Sequence, residues 1–199
     1  MNTVKANLRI LAVIAVLVGI ALVVKGGYMQ AKAHFAQFLI QQAWQQTLID
    51  QKPHKPWSWA DTYPVAKLTL LADGGEGKYR KSEPLYVLSG ASGRNLAFGP
   101  ATLDGAGLDA FEGSRVIAGH NDTHFSILNG IKPGQKINIQ SADEHEQLFR
   151  VTSTQIVHES DVYQLEPIHS QQLTLITCYP FNRLESNGAL RLLVKAVPV

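Results

Sequence analysis

The chain has 199 residues, a length that suits one globular domain with a short extension, and 45% of its side chains are hydrophobic. Four basic residues precede the first acidic residue, Asp50, so residues 50–199 hold all 16 acidic residues and the remaining 14 of the 18 basic ones. A body this close to neutral gives no electrostatic reason to bind nucleic acid, and the basic excess at the N-terminus favours a membrane as the partner.

The N-terminal region contains an uncharged apolar run, Ile10 to Val24, with Arg9 before it and Lys25 after it. Basic side chains that extend toward lipid headgroups lengthen such a run toward the roughly 20 residues that span a bilayer. The run therefore predicts a membrane anchor, and the basic residues before it favour a cytoplasmic N-terminus. A cleaved signal peptide is the alternative, because Ala31-Lys32-Ala33 has the small-x-small form of a cleavage site. A buried core helix would leave the basic flanks unexplained.

A second helix is predicted from Tyr28 to Gln51, where large apolar side chains recur every three or four residues among alanine and glutamine. Pro53 and Pro56 end this pattern and begin a stiff linker that is rich in aromatic residues. The sequence thus divides into a cytoplasmic stub and transmembrane anchor at 1–29, a juxtamembrane helix and linker at 30–63, and a β-rich domain at 64–199.

From Val65 onward the pattern changes to short β-rich runs that are separated by glycine, proline and Asn/Asp turns. Asp73 to Gly77 and Lys132-Pro-Gly134 are typical turn sequences. Seven short strands with few helical intervals predict a mainly β domain that forms a closed or nearly closed β-barrel. The predicted strands are Val65–Leu70, Leu85–Leu88, Arg115–Gly119, Lys136–Gln140, Gln147–His158, Leu173–Cys178 and Ala189–Val197.

Cys178 is the single cysteine of the chain, so it forms no disulfide within the chain. It ends the run Thr174-Leu-Ile-Thr-Cys178, and Tyr179-Pro180 then stops the strand because proline cannot donate to the ladder. A thiol at a strand end is held rigidly and still reaches a groove. On composition alone, an inert buried thiol or an intermolecular bridge is the alternative.

Two further residues lie at strand ends, His120 after the strand Arg115–Gly119 and Arg191 near the start of the last strand. Taken singly, each is typical of an ordinary surface residue. Together with Cys178 they meet a chemical need, because a thiol with a pKa of about 8.5 requires a basic or cationic neighbour at neutral pH. A histidine also returns a proton to a leaving amine, and a fixed guanidinium stabilises an oxyanion. We therefore predict His120, Cys178 and Arg191 as catalytic residues.

The same residues resemble the motifs of the sortase family. Thr174-Leu-Ile-Thr-Cys178 matches the TLxTC signature, Ala118-Gly-His-Asn121 is similar to the segment around the sortase histidine, and Arg191 stands at the expected spacing from the cysteine. The similarity runs from Pro64 to Val197. Further matches are Phe98-Gly-Pro100, Phe125-Ser-Ile-Leu128 and Cys178-Tyr-Pro-Phe181; the last of these, with Trp57-Ser-Trp-Ala-Asp61, is most similar to the sortases of Gram-negative proteobacteria.

The resemblance implies a closed eight-stranded β-barrel and a two-step acyl transfer that uses no organic cofactor and no metal. Cys178 would cleave an LPxTG-like C-terminal sorting signal of an exported substrate protein, and an amine acceptor would resolve the thioacyl-enzyme. His120 would act as acid and base, Arg191 would steady the oxyanion, and Thr177 and Asn121 would order the site or contact the substrate. It also implies a single-pass protein of the inner (cytoplasmic) membrane with an extracytoplasmic catalytic domain.

Three other classes of function compete with this interpretation. His120, Asp122, His124 and Cys178 are the residue types of a zinc site, although Asn121-Asp122 is typical of a turn. Another exported cysteine peptidase or L,D-transpeptidase is the second, but L,D-transpeptidases carry their cysteine in an S/T-x-G-C-x-R context that is missing here. A non-catalytic protein that only binds sorting peptides is a third reading, which nothing in the sequence favours.

The sequence predicts no calcium site, because its candidate carboxylates are scattered and lack the spacing of a calcium-binding loop. The candidates are Glu83, Asp104, Asp109 and Glu112.

Overall fold

The computed structural model describes residues 2–73, 79–103, 114–161, 171–181 and 188–199. The chain divides into two compact units, Met1–Phe38 and Leu39–Val199. Residues 74–77 of the predicted glycine-rich turn lie outside the described residues. The domain boundaries predicted after residues 29 and 63 stay a prediction.

One long helix, α1 (Asn2–Asp50), forms the N-terminal unit and extends into the next. The predicted anchor and the predicted second helix belong to this single helix, and Gly26-Gly27 does not interrupt it. Large apolar side chains from Leu11 to Val24 are exposed, as expected of a surface that faces lipid. Within the described residues, α1 is the one helix long and apolar enough to cross a membrane, consistent with a single N-terminal anchor.

The second unit is a β-barrel, and the described part of the chain contributes nine strands to it. A short helix, α2 (Gly93–Leu96), and a 3₁₀ helix (His124–Leu128) lie between strands. The strands are β1 (Pro64–Asp73), β2 (Tyr79–Lys81), β3 (Leu85–Leu88), β4 (Ala101–Thr102), β5 (Ser114–Ala118), β6 (Lys136–Ser141), β7 (Glu146–His158), β8 (Gln172–Tyr179) and β9 (Leu190–Pro198).

Eight of these strands close the barrel in the order β1-β3-β4-β5-β8-β9-β7-β6, and β6 pairs back with β1. Among the described strands, β2 pairs only with the end of β1 and extends it. The pairs β3–β4 and β5–β8 are parallel, and the remaining pairs are antiparallel. The expected closed eight-stranded barrel is therefore confirmed; closure removes the exposed edges of the sheet.

Alternate residues of β8 and β9 fill the interior of the barrel. Leu173 and Leu175 of β8, with Leu192 and Val194 of β9, belong to the main hydrophobic core and are at most 7% exposed. Successive side chains of a strand point to opposite faces, so Cys178 faces away from this core. The alternation thus decides on which side of the barrel wall the predicted site lies.

All seven predicted strands are present, and the structure adds β2 and β4. These two strands have three and two residues, which is too short for a recognisable alternation of apolar and polar side chains. The predicted turn at Lys132-Pro-Gly134 also forms, because the Gln135 N–H donates to the Lys132 carbonyl at 3.3 Å. Gly134 has a φ of 95°, in the left-handed region that favours glycine.

The aromatic linker after α1 packs in part against the barrel. The ring of Trp57 meets that of Phe98 edge to face at 4.9 Å, beside a small core formed by Ile40, Leu88 and Ala101. Trp59 remains 81% exposed. One tryptophan of the linker therefore packs against the domain, and the other is exposed to solvent.

Candidate active site

Two neighbouring strands and the segment that follows a third bring the predicted catalytic residues to one end of the barrel wall. Cys178 of β8 lies directly opposite Arg191 of β9 in an antiparallel pair, so their side chains share one face with Cβ atoms about 5 Å apart. On the other side of β8, the parallel register pairs Ala118 with Ile176. The strand β5 ends there, and the following residues continue alongside β8, because Gly119 bonds to Ile176 and Asn121 bonds to Pro180. His120 therefore belongs to a segment that runs beside the end of β8 that carries Cys178.

Two side-chain hydrogen bonds connect the histidine segment to the cysteine strand. The buried Thr177 hydroxyl donates to the carbonyl of Gly119 at 2.7 Å, directly before His120. The Asn121 amide donates to the carbonyl of Pro180 at 3.0 Å. A main-chain bond of 3.1 Å from the Gly119 N–H to the Ile176 carbonyl completes the connection. The two predicted ordering residues, Thr177 and Asn121, therefore flank the nucleophile and the histidine with cross-strand bonds; their part in catalysis stays a prediction.

Gly119 permits a close contact beneath the histidine. A Cβ atom at this position would lie 2.7 Å from a ring carbon of Phe125, which is fully buried. The Phe125 N–H also donates to the carbonyl of His120 at 2.9 Å. The 3₁₀ helix thus packs its aromatic side chain against the backbone that carries His120, which fixes the position of that backbone.

The Arg191 guanidinium has three acceptors. Its Nη2 donates to Oε2 of Glu159 at 2.6 Å, and its Nη1 donates to the carbonyls of Gly188 at 2.5 Å and Leu190 at 2.9 Å. The side chain of Arg191 is 24% exposed and that of Glu159 is 54% exposed, so water reaches the pair. Glu159 was not identified from the sequence, because its contact depends on the register between β7 and β9.

The second histidine of the H-x-D-x-H stretch has a shifted pKa. Burial lowers the pKa of His124 below its ordinary value of 6.5, the nearby His120 lowers it further, and Asp122 offsets part of this decrease. His124 is therefore neutral at neutral pH. His120 itself is exposed and Cys178 is partly buried, so both remain accessible to a substrate.

The zinc alternative lacks a cluster of ligands. Within the described ranges, no group of three or more His, Cys, Asp or Glu side chains is arranged to hold a metal ion. His120, His124 and Cys178 all lie within those ranges. Three of the carboxylates considered for calcium lie outside the described residues, as does Arg183, the other arginine close to Cys178 in sequence; the carboxylates are Asp104, Asp109 and Glu112.

Comparisons with known proteins agree with the fold and the motifs. A family model described as Sortase domain matches residues 80–199. Sortase A from Corynebacterium diphtheriae is 26% identical with a TM-score of 0.55, and the match covers 71% of this chain and 63% of that one. Sortase C-1 from Actinomyces oris is 25% identical with a TM-score of 0.54, covering 68% of this chain and 72% of that one.

A third solved structure supports the fold alone. Sortase A of Listeria monocytogenes is 21% identical with a TM-score of 0.55, and the match covers 68% of this chain and 87% of that one. No curated protein sequence is significantly similar to the chain.

Proposed function

Because the chain belongs to the sortase family of cysteine transpeptidases, we propose that it cleaves an LPxTG-like C-terminal sorting signal and transfers the substrate protein to an amine. The observation that carries the proposal is that Cys178 lies directly opposite Arg191, while the segment that contains His120 bonds to the same end of β8. This arrangement would supply a nucleophile, a proton carrier and a fixed positive charge to one carbonyl group.

In the first step, the Cys178 thiolate attacks the carbonyl carbon of the scissile peptide bond. The tetrahedral intermediate collapses as the carbon–nitrogen bond breaks, and protonated His120 gives its proton to the leaving amine. A thioacyl-enzyme remains on Cys178.

In the second step, the acceptor amine attacks the thioester carbonyl. The carbon–sulfur bond breaks, the thiolate of Cys178 is restored, and His120 takes up the proton that the amine loses. Water can replace the amine, which gives hydrolysis in place of transfer. The same three residues therefore serve both half-reactions, with no cofactor in either.

Arg191 would stabilise the negative oxygen that develops in both steps. A guanidinium offers five N–H donors in a planar fork, which suits a carbonyl or an oxyanion. Thr177 and Asn121 would act indirectly, since their bonds to Gly119 and Pro180 keep the histidine and cysteine segments in register. A displacement of about 1 Å between reacting groups costs on the order of 100-fold in rate.

The cellular setting belongs to the same proposal. The apolar part of α1 would hold the protein in the inner membrane of a Gram-negative proteobacterium, with the N-terminus in the cytoplasm and the barrel outside. Support comes from the basic residues before the apolar run and from the motifs Trp57-Ser-Trp-Ala-Asp61 and Cys178-Tyr-Pro-Phe181. The natural substrate would be one exported protein, or very few, each with a C-terminal sorting signal.

The full-length protein in detergent, incubated with an LPxTG-type peptide and an amine, tests the function. Intact-mass measurement should show a thioacyl adduct that Cys178→Ala lacks, together with a transpeptidation product. His120→Ala and Arg191→Ala should each lower kcat/KM by roughly 100-fold or more while the barrel stays folded. Near-normal turnover by Arg191→Ala, combined with an inactive Arg183→Ala, would show that the wrong arginine has been assigned.

A further inference from the structure

Glu159 is the charged residue that contacts the predicted catalytic arginine. It follows β7 directly, and its main-chain N–H donates to the carbonyl of Ala189 at 2.7 Å, which fixes its backbone beside the start of β9. From there its carboxylate accepts from the Arg191 guanidinium at 2.6 Å. Both ends of the contact are therefore anchored in the barrel.

Among the described residues, three of the five N–H donors of the Arg191 guanidinium have acceptors. Nη1 is occupied by the carbonyls of Gly188 and Leu190, and Nη2 gives one hydrogen to Glu159. Within the described residues, the Nε–H and the second Nη2 hydrogen of the fork have no acceptor. These two donors are the ones from which a substrate oxygen could accept.

The anchoring point lies next to the strand that carries the nucleophile. A Cβ atom at Gly188 would be 3.1 Å from the carbonyl oxygen of Tyr179, the residue that follows Cys178. The carbonyl of that same Gly188 holds Nη1 of Arg191. The guanidinium is thus held at the rim of the barrel, where β8 ends and β9 begins. The Glu159 carboxylate is its third acceptor, after the carbonyls of Gly188 and Leu190.

A purely structural role explains little of this arrangement. Glu159 is more than half exposed, and ion pairs that water reaches contribute little to folding stability. An exposed carboxylate still restricts the rotamers of its partner when the pairing geometry is good. The ion pair therefore matters most for the direction of the guanidinium.

We propose that Glu159 is a positioning residue of this sortase, which acts through Arg191 to hold the guanidinium in place for the developing oxyanion. The inference rests on the proposed function, since it assigns Arg191 to that oxygen. Glu159 would act only through this arginine, which its carboxylate contacts. It was left out of the predicted site residues, and its effect should disappear when Arg191 is absent.

The first experiment measures how much positive charge the Arg191 guanidinium places near the Cys178 sulfur, and it needs no peptide substrate. Anionic iodoacetate and neutral iodoacetamide alkylate Cys178, and the ratio of their rates reports positive charge near the sulfur. In the full-length protein in detergent, Arg191→Ala should lower this ratio about fivefold, the effect of one unit charge at contact distance in water. Glu159→Ala and Glu159→Gln should lower it in the same direction, although they remove a negative charge. Asp161→Asn removes the same charge nearby without an Arg191 contact in the described structure, and should not lower it.

A raised ratio in both Glu159 variants would overturn the proposal, because that is the sign expected of a residue that acts only by its charge. An Arg191→Ala ratio equal to that of the wild type would also overturn it, since the guanidinium would then not lie near the sulfur.

The second experiment measures turnover of the LPxTG-type peptide in a double-mutant cycle. Glu159→Ala should lower kcat/KM by roughly 10- to 100-fold in the wild-type background and cause no further loss in Arg191→Ala. Asp161→Asn should stay within about twofold of the wild type. An equal loss in both backgrounds, no loss, or a gain in rate would refute the positioning role. If the wild type forms no thioacyl adduct, the proposed function fails, while the alkylation ratios still decide whether Glu159 holds Arg191.

Discussion

The hydrogen bond between Thr177 and Gly119 allows a sharp test of how the site is held together. In Thr177→Val the side chain keeps its shape, and a methyl group replaces the hydroxyl. The buried carbonyl of Gly119 then loses its side-chain donor. An unsatisfied buried acceptor costs about 1–3 kcal/mol. For a domain of this size class, each kcal/mol lowers Tm by about 2–4 °C.

A matched control exists on β7. The Thr152 hydroxyl donates to the carbonyl of Lys195 at 3.1 Å, a cross-strand bond of the same kind on the exposed surface. In Thr152→Val, water replaces the lost donor, so the expected loss of stability is no more than about 0.5 kcal/mol. The two variants therefore differ mainly in how deeply the carbonyl that loses its hydrogen-bond donor is buried.

The assay is urea unfolding of the full-length proteins in detergent, followed by tryptophan fluorescence. Thr177→Val should lose at least about 1 kcal/mol more than Thr152→Val at an unchanged m-value. It should also lower kcat/KM roughly tenfold, because His120 directly follows the released carbonyl of Gly119. Equal losses of stability in the two variants would refute the reasoning that burial of this bond holds the histidine segment.

Three further changes have expected outcomes. Gly119→Ala should destabilise by about 1–3 kcal/mol, since its Cβ would meet the Phe125 ring at 2.7 Å, whereas Gly93→Ala, with open space around it, should be neutral or slightly stabilising by thermal unfolding. Asn121→Ala removes a part-buried bond of 3.0 Å; about 1 kcal/mol of stability and a lower kcat in the peptide assay are expected. His124 has a lowered pKa, so the unfolded chain binds more protons and stability falls as pH decreases below 6.5 toward the folded-state value. His124→Gln should show a smaller decrease in urea unfolding between pH 7.5 and 5.5, and an identical pH profile would contradict the shift.

The sequence was most informative where one strand could be read by itself. The alternation in Thr174-Leu-Ile-Thr-Cys178 predicts β8 and the end at which the thiol lies, and the structure has that strand as Gln172–Tyr179. Features that depend on two strands could not be read in this way. The pairing of Ala118 with Ile176 is a parallel contact between distant segments, and it brings the segment that follows β5, with His120, alongside the end of β8. No local pattern encodes that register.

Glu159 also could not be identified from the sequence alone. In sequence it is an ordinary acidic residue, far from both Cys178 and Arg191. Its contact arises because β7 and β9 pair Val157 with Arg191, which brings the residues after β7 to the start of β9. The motifs predict which residues carry the chemistry, and strand pairing was needed to find the carboxylate that contacts one of them.

The separation of the two faces of β8 and β9 affects how this enzyme can change. Leucine and valine on the inner side form the core, while the outer side carries Cys178 and Arg191, the predicted nucleophile and its arginine. Rim segments at this end of the barrel can therefore lengthen, shorten or exchange residues without disturbing the interior. Substitutions that change which sorting signal is recognised, in evolution or in directed selection, should thus lower the free energy of unfolding only slightly.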